Sequence, residues 1–304
     1  MDLFLNFLDS TFLDSAYESV RCNLELTICS AIQQSNFIFT KSVIIRSLGE
    51  PLCKIAKDNS LWDRESIFRQ SISLFLSVWP LSVFLYIPVA TLCYYWAFDR
   101  SLERHPKFAR NQIKREISDS LQALFYMNLM TTPIFIAQIN SSGYCKLYKF
   151  GTASWWYEVL QIPLFILFSD TCVYWLHRLF HKNMFLFKTM HKQHHKYVIP
   201  TPFGAYSFHP VEGWIMSLPV YAYSFILPMS DYVQLVILLY SNLWAFILHD
   251  SREQAHTVHH KNLNFNFGQF CSLWDRLGGT YVDPEIFLRA ESIGNPFTGS
   301  KGLL

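Results

Sequence analysis

From Gln70 to Phe98 the chain carries no charged residue, a run of 29. A helix needs ~20 apolar residues to cross the hydrocarbon of a bilayer, and buried helices of soluble proteins rarely go so long without a charge. A second run, Ser120–Cys145, holds 26. A third stretch, about Ala153 to Leu176, is apolar apart from Glu158 and Asp170. Two runs of 18 follow, Gly213–Ser230 and Tyr232–His249. At ~1.5 Å per residue each reaches ~27 Å, enough for a hairpin that only just spans. The composition agrees: 51% hydrophobic, 17% aromatic, 16% charged, mean hydropathy +0.16. Soluble domains carry ~25% charged residues. Disorder is excluded by the apolar content, and a net charge of +2 argues against nucleic acid as a partner.

The sequence therefore predicts an all-α integral membrane bundle of about four to five spans. Residues 1–69 form a less hydrophobic N-terminal region, in which Leu26–Thr40, with Gln33, Gln34 and Asn36, reads as an interfacial helix. Residues 70–287 hold the main domain and 288–304 a short tail. The acidic start, with Asp2, Asp9, Asp14 and Glu18 before any base, does not read as a cleavable signal peptide, and the end carries no dilysine or KDEL signal. Seven cysteines stand apart without a CxxC pair, which predicts scattered thiols rather than a disulfide framework. Basic residues cluster at Arg100–Arg115 and again at Arg178–Lys196, with only Lys146 and Lys149 between. The positive-inside rule then places the first and last of these regions in the cytosol and the middle one in the lumen. The sequon Asn140-Ser141-Ser142 lies too close to a span end to be expected to carry glycan.

Histidine supplies the chemistry. Ten of the eleven histidines lie between His177 and His260, in boxes. His177 and His181 form HxxxH; His191, His194 and His195 form HxxHH; His256, His259 and His260 repeat HxxHH. Residues at i, i+3 and i+4 share one helix face, and neutral imidazole is the commonest metal ligand. His209 and His249 stand alone between the boxes. His209 precedes Pro210, so a turn cap competes with a ligand role; His249 ends the last apolar run. Eight to ten imidazoles exceed the needs of one tetrahedral zinc and suit two metals with four or five ligands each. Ligand type alone does not choose among zinc, copper, iron and nickel. A dizinc hydrolase is a competing reading, without a GxSxG nucleophile motif to support it.

Three stretches carry a resemblance: Asp170 to His181, ending HRLFH; HKQHHKYVIPTPFGAYSFHP, His191–Pro210, continuing Val211-Glu212-Gly213-Trp214; and HTVHHKNLNFNFGQFCSLWDRLGGTY, His256–Tyr281. They resemble the fatty acid hydroxylase superfamily of membrane di-iron oxygenases, and within it the sterol C5-desaturases, over roughly residues 70–287. The resemblance implies a cap of two iron ions facing the cytosol at the endoplasmic reticulum membrane, with zinc able to replace iron in purified protein. It implies a Δ7-sterol substrate desaturated between C5 and C6, molecular oxygen as co-substrate, and electrons from cytochrome b5 and its NAD(P)H-dependent reductase. The ligands it implies are His177, His181, His191, His194, His195, His256, His259 and His260, joined by His209 and His249. Asp170, two helical turns before His177, is expected to orient an imidazole. Phe203, Tyr206, Phe208 and Trp214 are candidates for the mouth of a sterol tunnel, and Lys182, Lys188, Lys192 and Lys196 for a cytochrome contact. The same chemistry with a different outcome, in a C4-methylsterol oxidase or a fatty acid hydroxylase, is one alternative; the family's connection before the third box is longer than Ser251–Ala255 here, which makes a catalytically impaired sterol-binding relative another.

Overall fold

A computed structural model describes residues 5, 7–29, 51, 53–55, 57–141, 143–249 and 254–292. Most of the apolar-leaning stretch 26–40, the segment 250–253 and the tail from 293 lie outside the described residues. The fold is all-α. Its helices are α1 (Asp14–Leu24), α2 (Asn59–Trp62), α3 (Ile67–Trp96), α4 (Gln112–Ile139), α5 (Trp155–Lys182), α6 (Met184–Thr189), α7 (Pro210–Ile226), α8 (Asp231–Leu248), α9 (Gln254–Lys261), α10 (Leu273–Leu277) and α11 (Pro284–Ser292). Short 3-10 turns cover Arg100–Arg104, His191–Lys196 and Pro202–Tyr206. The strand content described is a two-residue parallel pair, β1 (Leu147–Tyr148) with β2 (Met229–Ser230).

Among the described residues three helical segments are long and apolar enough to cross a membrane: Ser60–Trp96, Trp155–Lys182 and Asp231–Leu248. This is fewer than the four to five expected. All five apolar runs are helical, but two fall short for physical reasons. Helix α4 has the length, yet begins with Lys114, Arg115, Glu116 and Asp119 and carries Gln122, Asn128 and Gln138. Helix α7 has only 17 residues. Aromatic side chains mark the ends of spans, as expected where hydrocarbon meets headgroups: Trp96 closes α3 and is 82% exposed, and Trp155 opens α5 at 80%.

The chain divides into two compact units. The first contains Met1–Val78 and Thr132–Asn140. Its buried centre is Arg69, which donates to Asp9 Oδ1 at 2.8 Å and to the Trp62 carbonyl at 2.7 Å, and also pairs with Asp14. Its guanidinium lies over the Tyr17 ring, whose hydroxyl meets Ser73. Such a charge is tolerated inside because it is paired with the Asp9 and Asp14 carboxylates. Cys29 and Cys53 are disulfide-bonded, which corrects the reading of all seven cysteines as separate thiols; Cys22, Cys93, Cys145, Cys172 and Cys271 are free. Spacing could not reveal this pair, since its 24-residue separation carries no motif. The Asn140 amide of the sequon donates to Gln70 Oε1 at 2.7 Å.

The second unit, Trp79–Thr131 with Ser141–Leu304, holds the histidines. Its core includes Tyr86, Ala90, Leu124, Phe203, Tyr206 and Phe246. The segment after the second histidine box is fixed by its backbone. Tyr86 and Ser120 both donate to the Phe203 carbonyl, at 2.7 and 2.9 Å. Buried Glu116 accepts from the Thr201 amide and hydroxyl and from Gln112. At the far end, Gln161 accepts from the Ser230 amide at 2.8 Å, holding the turn between α7 and α8.

Gly278 shows how closely α10 approaches α5. A Cβ there would lie 1.9 Å from the Tyr174 hydroxyl oxygen and 2.9 Å from the Trp274 carbonyl. Tyr174 is fully buried and its hydroxyl is committed to Arg178 and Thr280, so it cannot retreat cheaply. Gly278→Ala is expected to destabilise the chain by about 1–3 kcal/mol, the usual cost of overpacking; an unchanged thermal midpoint in detergent would refute this close approach.

Candidate metal centre

Nine histidines converge in two groups. The first is His177, His181, His191, His195 and His259; the second is His194, His249, His256 and His260. Within each group one ring nitrogen per residue lies within 4.8 Å of all the others. His177 and His181 share a face at the end of α5. Asn183 then caps α6 by accepting from Phe185 and Leu186 amides, and the chain turns back to deliver His191. Adjacent histidines point different ways, and each HxxHH box exploits this. His195 joins the first group while His194, its neighbour, joins the second; their rings are 5.2 Å apart and nearly perpendicular. In α9, His259 goes to the first group and His256 and His260, one turn apart, go to the second. His249 and His256 have ring centroids 4.8 Å apart, so the short connection between them reaches.

The surroundings fix which nitrogen is free. His177 Nδ1 bonds the Phe267 carbonyl at 3.0 Å, His259 Nδ1 the Phe265 carbonyl at 2.8 Å, and His249 Nδ1 the Ala245 carbonyl at 2.7 Å. A carbonyl only accepts, so each Nδ1 carries the proton and each Nε2 a lone pair. His191 Nδ1–H donates to Glu212 Oε1 at 2.6 Å. Its Nε2 then faces His181 Nε2 at 2.6 Å and His195 Nε2 at 3.0 Å. The Nε2 atoms of His177, His249 and His259 are buried without a hydrogen-bond partner. Neutral imidazoles with converging Nε2 atoms, backed by carbonyls and a carboxylate, are a donor set that fits a transition-metal ion.

Burial also keeps the rings neutral. It pushes His194, His256, His259 and His260 well below the ordinary histidine value, with neighbouring histidines adding repulsion. His249 falls to about 4, through burial opposed by the Ala245 carbonyl. Depressed native values mean that the unfolded chain binds more protons as pH falls below ~6.5. Stability contributed by these groups is therefore complete above that pH and lost as acid is added. Metal-stripped protein should lose thermal stability between pH 7 and 5, by about 1.4 kcal/mol per pH unit for each histidine that titrates only in the unfolded state. A flat midpoint over that window would contradict buried neutral rings.

Two residues expected in the site are placed elsewhere. His209 belongs to neither group. It caps α7, its Nδ1 accepting from the Val211 amide at 3.3 Å, because extended backbone before Pro210 puts its ring over the first helical turn. Asp170 contacts no imidazole. It accepts from the Gln269 and Phe270 amides at 3.0 and 2.8 Å and from the Cys271 thiol, so it fixes the loop between α9 and α10. The carboxylate on a histidine is Glu212, whose only sequence signal was an acid in the first turn after His-Pro. The carbonyls of Phe265 and Phe267 had none.

An apolar cavity of about 200 Å³ opens from the histidines. Helix α7 lines it with Glu212, Gly213, Met216, Ser217, Val220 and Tyr221, one helical face. Helix α8 contributes Leu238, Ser241, Asn242, Ala245, Leu248 and His249. Of the expected mouth residues, Tyr206 and Phe208 line it, Phe203 sits in the core beneath, and Trp214 is not in the wall. Lys196 pairs with Asp119 at 3.1 Å.

A helical membrane fold with clustered histidines beside an apolar cavity defines a class of membrane protein with a donor set able to hold metal. Comparison with known proteins narrows the class. Residues 162–280 match the fatty acid hydroxylase family. The chain is 36% identical over 296 residues to the Δ7-sterol 5(6)-desaturase erg3B of Aspergillus fumigatus, covering 93% of this chain and 86% of that protein. It is 37% identical over 245 residues to the lathosterol oxidase of Homo sapiens, covering 74% and 80%. It is 34% identical over 314 residues to the Δ7-sterol 5(6)-desaturase of Eremothecium gossypii, covering 94% and 89%. No solved structure matches the chain. The chain belongs to the sterol C5-desaturase branch of the fatty acid hydroxylase family, a family of oxidoreductases.

Proposed function

We propose that this chain is a sterol C5-desaturase that introduces the C5=C6 double bond into Δ7-sterols, with residues 70–287 as its catalytic domain. The observation that carries the proposal is two groups of neutral imidazoles at one end of an apolar cavity, in a chain similar along most of its length to Δ7-sterol 5(6)-desaturases. The reaction removes one hydrogen from C5 and one from C6. One O2 is reduced to two waters by those two hydrogens, two electrons and two protons. The electrons are proposed to come from cytochrome b5 and its NAD(P)H-dependent reductase.

Two iron ions, one per histidine group, would supply the dioxygen chemistry when bound. His177, His181, His191, His195 and His259 would hold one and His194, His249, His256 and His260 the other. The protein's own share is positioning and dryness. Phe267 and Phe265 carbonyls hold the tautomers of His177 and His259. Helices α7 and α8 confine the flat hydrocarbon body of the sterol, and the cavity wall keeps bulk water from the reacting carbons. The chain is proposed to lie in the endoplasmic reticulum membrane with its histidines on the cytosolic side, and the basic residues around them support that orientation. The Cys29–Cys53 bridge lies before the first span, on the side that rule assigns to the oxidising lumen. Against a silent sterol-binding relative stands the completeness of both histidine groups despite the short segment before His256.

The test is sterol profiling in cells that lack their own C5-desaturase and express this chain. Appearance of Δ5,7-sterols is expected. Unchanged Δ7-sterols despite stable protein and available cytochrome b5 would reject the proposal; oxidised C4-methyl or hydroxylated acyl products would move the chain to a neighbouring activity.

A further inference from the structure

The cavity is long, and the histidines occupy one end. Its lining on α7 runs from Glu212 to Tyr221 and on α8 from His249 back to Leu238, ~14 and ~17 Å of helix rise. In a sterol, C5 is two bonds from C3, which bears the single hydroxyl; the other rings and the side chain extend the opposite way. With C5 and C6 at the histidines, the hydrocarbon body must fill the cavity toward Tyr221 and Leu238. The hydroxyl then stays at the histidine end and needs a partner there. Glu212 lines that end. Its side chain is 5% exposed, its Oε1 is engaged by His191, and its Oε2 is buried with no hydrogen-bond partner. An unmatched buried acceptor is unfavourable and is relieved by a donor from a ligand.

Resting on the proposed desaturase reading, we propose that Glu212 recognises the substrate's 3-hydroxyl: Oε1 accepts from His191 Nδ1–H, and Oε2 accepts from the sterol O–H. One carboxylate thus ties the orientation of a metal-binding imidazole to the register of the substrate, and it sets the sterol tail-first along α7 and α8. A site that hydrogen-bonds a hydroxyl strongly rejects analogues that cannot reciprocate.

The experiment compares a Δ7-sterol with its 3-O-methyl ether and its 3-deoxy analogue, using the full chain and Glu212→Gln in microsomes, with iron per chain measured in both. The wild type should favour the alcohol over both analogues in kcat/KM by roughly a hundredfold or more. The glutamine oxygen still accepts from His191, but its amide donates to alcohol and ether alike, so the alcohol-to-ether ratio should fall to within roughly threefold of unity. An equal ratio in the two proteins, or a wild-type ratio near one, overturns the assignment. If the wild type converts no sterol, the desaturase reading fails by itself. Displacement of a bound saturated stanol against its methyl ether then still tests Glu212 without turnover: loss of the wild-type preference on Glu212→Gln supports the contact, and its persistence refutes it.

Discussion

His181→Ala and His260→Ala should each abolish Δ5,7-sterol formation while leaving the other histidine group assembled. Each removes one imidazole from a different group. The loss should exceed the ~10–100-fold typical of residues that only support a ligand, because a donor to the metal itself disappears. The two variants also separate one centre from two. Iron per chain should fall from two toward one in each case if the groups load independently. Full iron content with full activity in either variant would show that the residue is no ligand. Two irons retained with activity lost would point to a role in the chemistry rather than in holding metal.

Asp275→Ala should be nearly as damaging although Asp275 belongs to neither histidine group. Its Oδ1 accepts from the Phe267 amide at 2.8 Å and the Thr280 hydroxyl at 2.8 Å, and its Oδ2 from the Gly268 amide at 2.8 Å. The residue is 2% exposed. Alanine would leave the Phe267 and Gly268 amides unmatched, each costing about 1–3 kcal/mol, so a total near 3–5 kcal/mol is expected after relaxation. The consequence reaches the site through one residue: Phe267 gives its amide to Asp275 and its carbonyl to His177. Iron affinity should fall together with thermal stability, and Asp275→Asn, which keeps an acceptor oxygen, should recover part of both. Normal iron content in the alanine variant would show that the loop holds its shape without the carboxylate.

Much of this was legible in the sequence because the signals are local. The run Gln70–Phe98 became α3, and the two 18-residue runs became α7 and α8, each within a few residues. Eight box histidines announced themselves by helical spacing, and His249 by its place at the end of the last apolar run. What stayed hidden depends on long-range contacts. Asp170 and Glu212 are both acids near histidines in the sequence, yet only the folded chain shows that the first serves a backbone loop 99 residues away and the second an imidazole 21 residues away. His209 before Pro210 read equally as a ligand or a turn cap, and the fold shows its ring capping α7. Polar residues spread along α4 likewise weakened a span that an absence of charge had suggested.

The splitting of each HxxHH box between two groups has a consequence for how such a chain tolerates insertions and deletions. One extra residue inside α9 would rotate everything beyond it by ~100°, sending His259 and His260 to the wrong partners at once. Length is therefore quantised inside the boxes, and a chain with only six residues between His249 and His256 keeps nine converging rings.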